Sequence, residues 1–175
     1  MLDDFDLIIS CGDLSRPYLE FLVTMARCPL LYVRGNHDDR FALEPPEGCV
    51  CIDGELYVHE GVRILGLGGS YRYKRGRNMY TERQMRRRIL GLGFKLLRHR
   101  GFDILVTHAP ARNINDFDSL SHRGFECFNT LLQRFKPRYF IHGHIHKNYG
   151  MNIPQRTVLG DTTVINAYEY CVIEY

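Results

Sequence analysis

The sequence predicts an α/β fold built as one domain over residues 1–175. Two short apolar runs, at 7–10 and 30–33, are separated by a segment in which apolar residues recur at helical spacing until Pro29. A strand, a helix and a strand in that order form a βαβ unit, whose strands are parallel and joined by a right-handed crossover. A chain of this length can also bury a sizeable core. We therefore expect a layered α/β core.

The rest of the chain supplies further elements of both kinds. Extended pieces at 49–52, 56–59 and 62–67, with Asp53-Gly54 and Glu60-Gly61 as turns, predict a small meander. A capping box at Thr81 predicts a helix, although Gly91 and Gly93 weaken its middle. The remaining patterns predict a helix at 124–135 and strands at 102–107, 139–142, 163–166 and 170–173.

Composition and charge restrict the class of protein. The net charge is only +3, but residues 71–100 hold 11 Lys or Arg against one acid. No apolar run has the length of a membrane span, and the acidic N-terminus is unlike a secretory signal. We therefore expect a cytoplasmic protein without a membrane partner, whose six cysteines, none in a CxxC pair, stay reduced.

Polar side chains that can bind metals follow four of the predicted strands directly. They occur in Gly12-Asp13, in the run from Gly35 to Asp38, at His108, and in Gly143-His144-Ile145-His146. In open α/β sheets the carboxyl ends of the strands meet at one crevice, where sites are built. Carboxylate, amide oxygen and imidazole together suit Mn, Fe, Zn or Ni rather than a structural thiolate zinc. The sequence therefore predicts a metal site at this edge.

The order GD, GNHD, a lone His after a strand, and GHxH resembles the signature of calcineurin-like metallophosphoesterases, and it spans Gly12 to His146. This resemblance implies a four-layer αββα sandwich of two mixed sheets flanked by helices. It also implies two divalent metal ions. Asp13 would bridge them, Asn36, His108 and His144 would complete the second site, and His146 would belong to the first. His37 would donate a proton to the leaving oxygen, with Asp38 orienting it.

The resemblance is incomplete at the start of the chain. The family pattern opens with a D-x-H motif after a first strand, and no residue before Asp13 supplies it. The first metal would then keep only Asp13 and His146, too few ligands for a tight site. Either the first strand and its motif lie upstream of Met1, or this member has lost them. We favour the first account and expect an N-terminally truncated domain, because a missing inner strand would leave unpaired sheet edges.

The resemblance implies hydrolysis of phosphodiesters or phosphomonoesters of a phosphorylated small molecule by a metal-activated water. A catalytically weak scaffold is one alternative, supported by the missing motif. A nuclease is another, suggested by the basic and aromatic loop that contains Arg72, Tyr73, Lys74, Arg75 and Arg77. Nucleic acid ranks lower as a partner because the overall charge is modest. The lone histidines His59, His99 and His122 are interpreted as structural.

Overall fold

The computed structural model describes residues 2–146 and 153–175. Its helices are α1 (Arg16–Met25), α2 (Glu82–Gly91), α3 (Gly93–Arg98) and α4 (Glu126–Phe135). Its strands are β1 (Ile8–Ser10), β2 (Leu30–Tyr32), β3 (Val50–Cys51), β4 (Glu55–His59), β5 (Val62–Leu67), β6 (Ser70–Tyr71), β7 (Met79–Tyr80), β8 (Ile104–Thr107), β9 (Tyr139–His142), β10 (Arg156–Leu159) and β11 (Thr162–Asn166). None of the helices in these two ranges is long and apolar enough to cross a membrane.

The strands form two main sheets and one short pair. The smaller main sheet has the order β1-β2-β3, and the larger has the order β10-β11-β9-β8-β5-β4. Strands β1 and β2 pair in parallel with Ile8 opposite Leu30, so the predicted βαβ unit is confirmed. The larger sheet is mixed, because β4 and β10 pair antiparallel with their neighbours. The smaller sheet contains only parallel pairs among the described strands, and β1 is one of its edges.

The two sheets and the helices form four layers. Alternate residues of a strand point to opposite faces of its sheet, and the core divides accordingly. Leu30 and Tyr32 pack with Leu19 of α1, whereas Leu31 and Val33 belong to a cluster between the sheets. The other face of the larger sheet packs against α2, α3 and α4 through Leu65, Leu105, Phe140 and Val164. The predicted αββα sandwich is therefore confirmed.

The helix predicted from Thr81 is present but divided in two. The Thr81 hydroxyl accepts a hydrogen bond from the Gln84 backbone N–H at 3.3 Å, and the Gln84 side chain accepts one from the Thr81 N–H at 2.9 Å. The capping box is thus confirmed. Helix α2 ends at Gly91 and α3 begins at Gly93. The break falls at the glycines that weakened the prediction, and Met85, Leu92 and Leu96 are buried on the inner face of both helices.

The predicted meander is wrong in its first strand. Strand β3 pairs in parallel with β2 in the smaller sheet, and only β4 and β5 form an antiparallel hairpin, in the larger sheet. The turn at Asp53-Gly54 therefore carries the chain from one sheet to the other. The hairpin turn at Glu60-Gly61 is as predicted, with φ of 48° and 88°. Periodicity identifies a strand but does not identify the strand that it pairs with.

The strand predicted at 170–173 is also wrong. These residues lie outside any strand, although Cys171 and Ile173 pack against the core while Tyr170 and Val172 are exposed. Side chains satisfy their backbone here. Gln155 Nε2 donates to the Tyr170 carbonyl at 2.9 Å, and Arg156 Nη2 donates to the Val172 carbonyl at 2.5 Å. Half-buried and exposed residues do alternate at 170–173, but side-chain hydrogen bonds, and not pairing with another strand, fix this segment.

Candidate metal centre

Four of the predicted ligands come together at the carboxyl ends of four strands. Asp13 follows β1, Asn36 follows β2, His108 follows β8 and His144 follows β9, so both sheets contribute. His108 Nε2 lies at the centre of the group. It is 3.0 Å from Asn36 Oδ1, 3.0 Å from His144 Nδ1 and 3.4 Å from Asp13 Oδ2.

The hydrogen bonds of His108 and His144 to backbone carbonyls determine which ring nitrogen carries the proton. His108 Nδ1 donates to the Cys11 carbonyl and His144 Nε2 donates to the Ser121 carbonyl, each at 2.7 Å. Burial, and then the neighbouring His108, lowers the pKa of His144 to about 3, so its ring is neutral at neutral pH. In a neutral ring with one N–H committed, the other nitrogen presents a lone pair. When both rings are neutral, the nitrogens that face each other are therefore acceptors.

This donor set fits a divalent cation. The ligand atoms of Asp13, His108 and His144 all lie within 4.8 Å of one another. Two imidazole nitrogens and the nearby oxygens face each other with their lone pairs. With no hydrogen between them these atoms repel each other, and a bound cation would remove the repulsion. Ligating histidines in proteins commonly donate their other N–H to a carbonyl or carboxylate, as His108 and His144 do here.

The Asp13 carboxylate is held in the ionised form with one oxygen directed at the cluster. Its Oδ1 accepts a hydrogen bond from the His37 backbone N–H at 2.8 Å, and its Oδ2 faces His108. Burial raises the pKa of Asp13, but His108, whenever its ring is protonated, and His37 lower it by more and leave the pKa below its usual value. The side chain is 22% exposed, so the carboxylate can also face a substrate.

Two of the predicted ligands adopt a backbone conformation that side chains disfavour. Asp13 has φ of 60° and His144 has φ of 67°, both in the left-handed region. Strain of this kind persists where the surrounding structure imposes it, and it clusters at functional sites. Gly35 allows the close approach that the turn needs, because a Cβ there would lie 2.0 Å from Asp13 Oδ1.

Asp38 connects the first two loops of the site. Its carboxylate is buried, and Oδ2 accepts hydrogen bonds from the Gly35 N–H at 2.7 Å and the Asp13 N–H at 2.9 Å. Burial raises the pKa of this carboxyl group. These bonds hold the loops after β1 and β2 together. The orientation of the His37 ring by Asp38 stays a prediction.

The other predicted residues line the cavity above the cluster. This cavity, of about 380 Å³, is lined by Asp13, Asn36, His37, Tyr73, Ser121, His122, His144 and His146. His37 and His146 are both exposed. The His146 ring packs on Tyr168 with centroids 5.0 Å apart, and it lies outside the group formed by Asp13, His108 and His144. The assignment of His146 to a first metal therefore stays a prediction.

His122 is a site residue that the sequence interpretation missed. It lines the same cavity, and its ring centroid is 5.6 Å from that of His144. Its Nδ1 lies 2.8 Å from the Ser119 hydroxyl and 3.2 Å from the Ser121 hydroxyl, so the ring is held in place. The one signal in the sequence was its position in the long loop that follows β8 and begins at His108.

Known proteins resemble this chain in sequence and in fold. A UPF0046 protein of Caenorhabditis elegans is 26% identical over 192 residues, which cover 90% of this chain and 63% of that protein. Human metallophosphoesterase domain-containing protein 1 is 35% identical over 78 residues, which cover 43% of this chain and 22% of that protein. The chain thus spans less than two thirds of the length of these relatives. The crystal structure of TT1561 of Thermus thermophilus has the same fold, with a TM-score of 0.61 at 13% identity over 93% of this chain and 76% of that one.

The sequence pattern of one protein family covers most of the chain. The profile of the calcineurin-like phosphoesterases matches residues 2–148, a range that includes Asp13, Asn36, His108 and His144. The αββα layers and the convergence of these four side chains agree with that match. The chain belongs to the calcineurin-like phosphoesterase family.

Proposed function

We propose that this protein hydrolyses phosphate esters, as a phosphodiesterase or a phosphomonoesterase, with divalent metal bound at the candidate centre. The observation that carries the proposal is the convergence of possible ligand atoms around His108 Nε2, which opens into a cavity large enough for a phosphoryl group. Asp13, Asn36, His108 and His144 would hold the metal. A divalent ion bound there supplies Lewis acidity toward the phosphoryl oxygens and activates water for attack on phosphorus.

The location of His37 supports a role in the departure of the leaving group. Its side chain lines the metal cavity and also a second cavity of about 340 Å³, which is lined by Asp13, Leu14, Ser15, Arg16, Pro17, His37, Asp38, Arg40, Phe41 and Glu44. A phosphoryl group at the metal would then direct its alcohol portion toward the second cavity, past His37. Its exposed imidazole can donate a proton to the oxygen of that alcohol as the bond to phosphorus breaks. Its backbone N–H meanwhile keeps Asp13 Oδ1 in place.

The test is an assay of the purified chain on a chromogenic phosphodiester with added Mn²⁺. We expect turnover that a chelator abolishes. The variant His37→Ala should lose about 100-fold or more in turnover, the range typical of a general acid, with unchanged metal content. His59→Ala is the matched control, because His59 lies on β4, bonded to the Asp6 carbonyl at 3.1 Å.

Two results would count against this function. Turnover that persists at full rate in the chelator would exclude a metal-dependent reaction. Metal bound at the centre with no turnover on diester or monoester substrates would favour the catalytically weak scaffold.

A nuclease remains a second candidate because of one observation. Tyr73, in the basic loop, lines the metal cavity, and Asp39 holds that loop by accepting hydrogen bonds from the Asn78 N–H and side chain at 3.3 Å. A base can stack on a partly exposed aromatic ring such as that of Tyr73, beside basic residues. This candidate predicts binding of single-stranded nucleic acid that weakens with salt and with neutralisation of Lys74 and Arg75.

A further inference from the structure

Helices α2 and α3 expose an apolar ridge on their outer side. Leu90, Phe94 and Leu97 have exposed fractions of 76%, 76% and 77%. Their spacing of four and then three residues places them on one face, which continues across the break between the two helices. Side chains this exposed have almost no protein neighbours, so they project from the surface and do not line a groove.

The ridge is not the face that packs on the core. The inner face carries Met85, Leu92 and Leu96, which are all buried against the larger sheet and α4. A surface helix of a globular protein normally has one apolar stripe and a polar outer face. Here the second half of the helix pair is apolar on both sides. Exposed apolar side chains grouped on one helix face in this way are typical of an interaction surface.

The charge around the ridge is positive. Arg83 and Arg87 extend the same face by further steps of four and three residues, and Arg98 lies at its other end. All three are exposed and make no ion pair with any residue in 2–146 or 153–175. The acidic groups near the two helices are already engaged. Arg86 pairs with Glu82 and Glu126 at 3.3 and 3.6 Å, Lys95 pairs with Glu55, and Arg88 pairs with Asp53.

We propose that this basic ridge, formed by Arg83, Arg87, Leu90, Phe94, Leu97 and Arg98, docks on the surface of an anionic lipid bilayer. Amphipathic helices with aromatic and leucine side chains flanked by arginines lie in the plane of such an interface. The apolar side chains enter the boundary between head groups and acyl chains, and the arginines contact the lipid phosphates. The ridge spans about 24 Å of helical chain parallel to that surface.

The chemistry of the ridge favours lipid over other occupants. A second copy of the chain would bring the unpaired arginines of two ridges together, and like charges at an interface oppose association. A helix-binding protein partner usually offers a groove to such a ridge. A fluid bilayer accepts a projecting ridge without a preformed groove. The expectation of no membrane partner rested on the lack of a spanning segment, which a helix lying on the surface does not require.

The test is co-sedimentation of the purified chain with vesicles of phosphatidylcholine alone or with about 30% phosphatidylserine, a composition that gives the vesicle a negative surface. We expect binding to the anionic vesicles that weakens with added salt, and no binding to the neutral ones. The double variant Arg83→Gln/Arg87→Gln should bind about 25-fold more weakly, since each arginine near an anionic surface contributes about fivefold. The triple variant Leu90→Ser/Phe94→Ser/Leu97→Ser should lose binding.

A matched control separates this ridge from exposed apolar residues elsewhere. Leu43 and Val158 are 77% and 74% exposed, so Leu43→Ser/Val158→Ser replaces two equally exposed apolar side chains elsewhere and should bind like the parent. All the substituted side chains are exposed, and circular dichroism of each variant checks that it is folded. The proposal is overturned if the parent ignores anionic vesicles or if the triple variant binds equally well. It is also overturned if light scattering shows a dimer that the triple variant abolishes, because the ridge would then bind a second copy.

Discussion

The Asp38 carboxylate accepts a hydrogen bond from the backbone N–H of Asp13 at 2.9 Å, across 25 positions of sequence. The same oxygen accepts the Gly35 N–H at 2.7 Å. Asp38 thus joins the loop that carries Asp13 to the loop that carries Asn36. The geometry of the candidate metal centre depends on a carboxylate that is not one of its clustered donor residues.

Replacement of Asp38 should therefore destabilise the fold. In Asp38→Ala the two N–H groups lose their acceptor, and each buried unpaired donor costs about 1 to 3 kcal/mol. We expect the free energy of unfolding, measured with urea, to fall by about 2 kcal/mol or more. Asp38→Asn keeps an acceptor oxygen and should lose less. Equal losses in the two variants would show that the charge, and not the acceptor, matters.

Loss of a clustered imidazole should remove metal binding. In His144→Ala the Nδ1 atom that faces His108 is gone. Affinity for Mn²⁺, measured by calorimetry, should therefore fall by more than about 100-fold, which exceeds the loss typical of a residue that only hydrogen-bonds to a metal ligand. The control His59→Ala changes a histidine outside the cavity. Unchanged Mn²⁺ binding in His144→Ala would mean that the cation is held elsewhere.

The close approach at Gly35 gives a steric prediction. In Gly35→Ala the new Cβ would lie 2.0 Å from Asp13 Oδ1, so either the carboxylate or the loop must move. We expect weaker Mn²⁺ binding and a lower melting temperature. Gly91→Ala is the control, because a Cβ there meets nothing within 4 Å and alanine favours a helix by about 0.5 to 1 kcal/mol. The prediction fails if Gly35→Ala is as stable and binds as tightly as the parent.

The ion pair at the start of β5 and β8 predicts a pH dependence of stability. Asp103 accepts from Arg63 Nε at 2.8 Å and from Arg63 Nη2 at 2.5 Å, and these hydrogen bonds hold the pKa of the carboxyl group below its usual value. A lowered pKa in the folded state gives stability that is complete above the unfolded pKa, about 4, and is lost as the pH falls through the folded value. The pair is partly exposed, so we expect Asp103→Asn to cost roughly 1 kcal/mol at neutral pH.

The measurement is a series of urea titrations of parent and Asp103→Asn between neutral pH and about pH 3, where the carboxyl group of the unfolded chain is protonated. The difference between the two proteins should begin to shrink as the pH falls below about 4. A difference that stays constant over this range would mean that packing at Asp103, and not its charge, stabilises the fold.

Local patterns were enough to predict most strands and helices. The apolar runs that became β1, β2, β8 and β9 are short and end directly in polar residues, so both the strands and the location of the ligands after them are visible in the sequence. Thr81 and Gln84 likewise predict the N-terminus of a helix, because a capping box is a contact between residues close in the chain. Pairing is different. The partner of β3 and the irregular backbone at 170–173 depend on contacts with distant segments, about which local periodicity carries no information.

The sequence by itself determined the types of the candidate ligand side chains, their order and their placement after strands. Only the tertiary structure decided that His108 Nε2 meets Asn36 Oδ1 and His144 Nδ1 at 3.0 Å, that the Cys11 and Ser121 carbonyls hold the outer imidazole protons, and that His122 shares the cavity. In the two direct contacts, Asn36 lies 72 positions and His144 lies 36 positions from His108 in the sequence. The Asn36 distance follows from the packing of the two sheets against each other and the His144 distance from the pairing of β8 with β9, because nothing in the local chain chemistry specifies either.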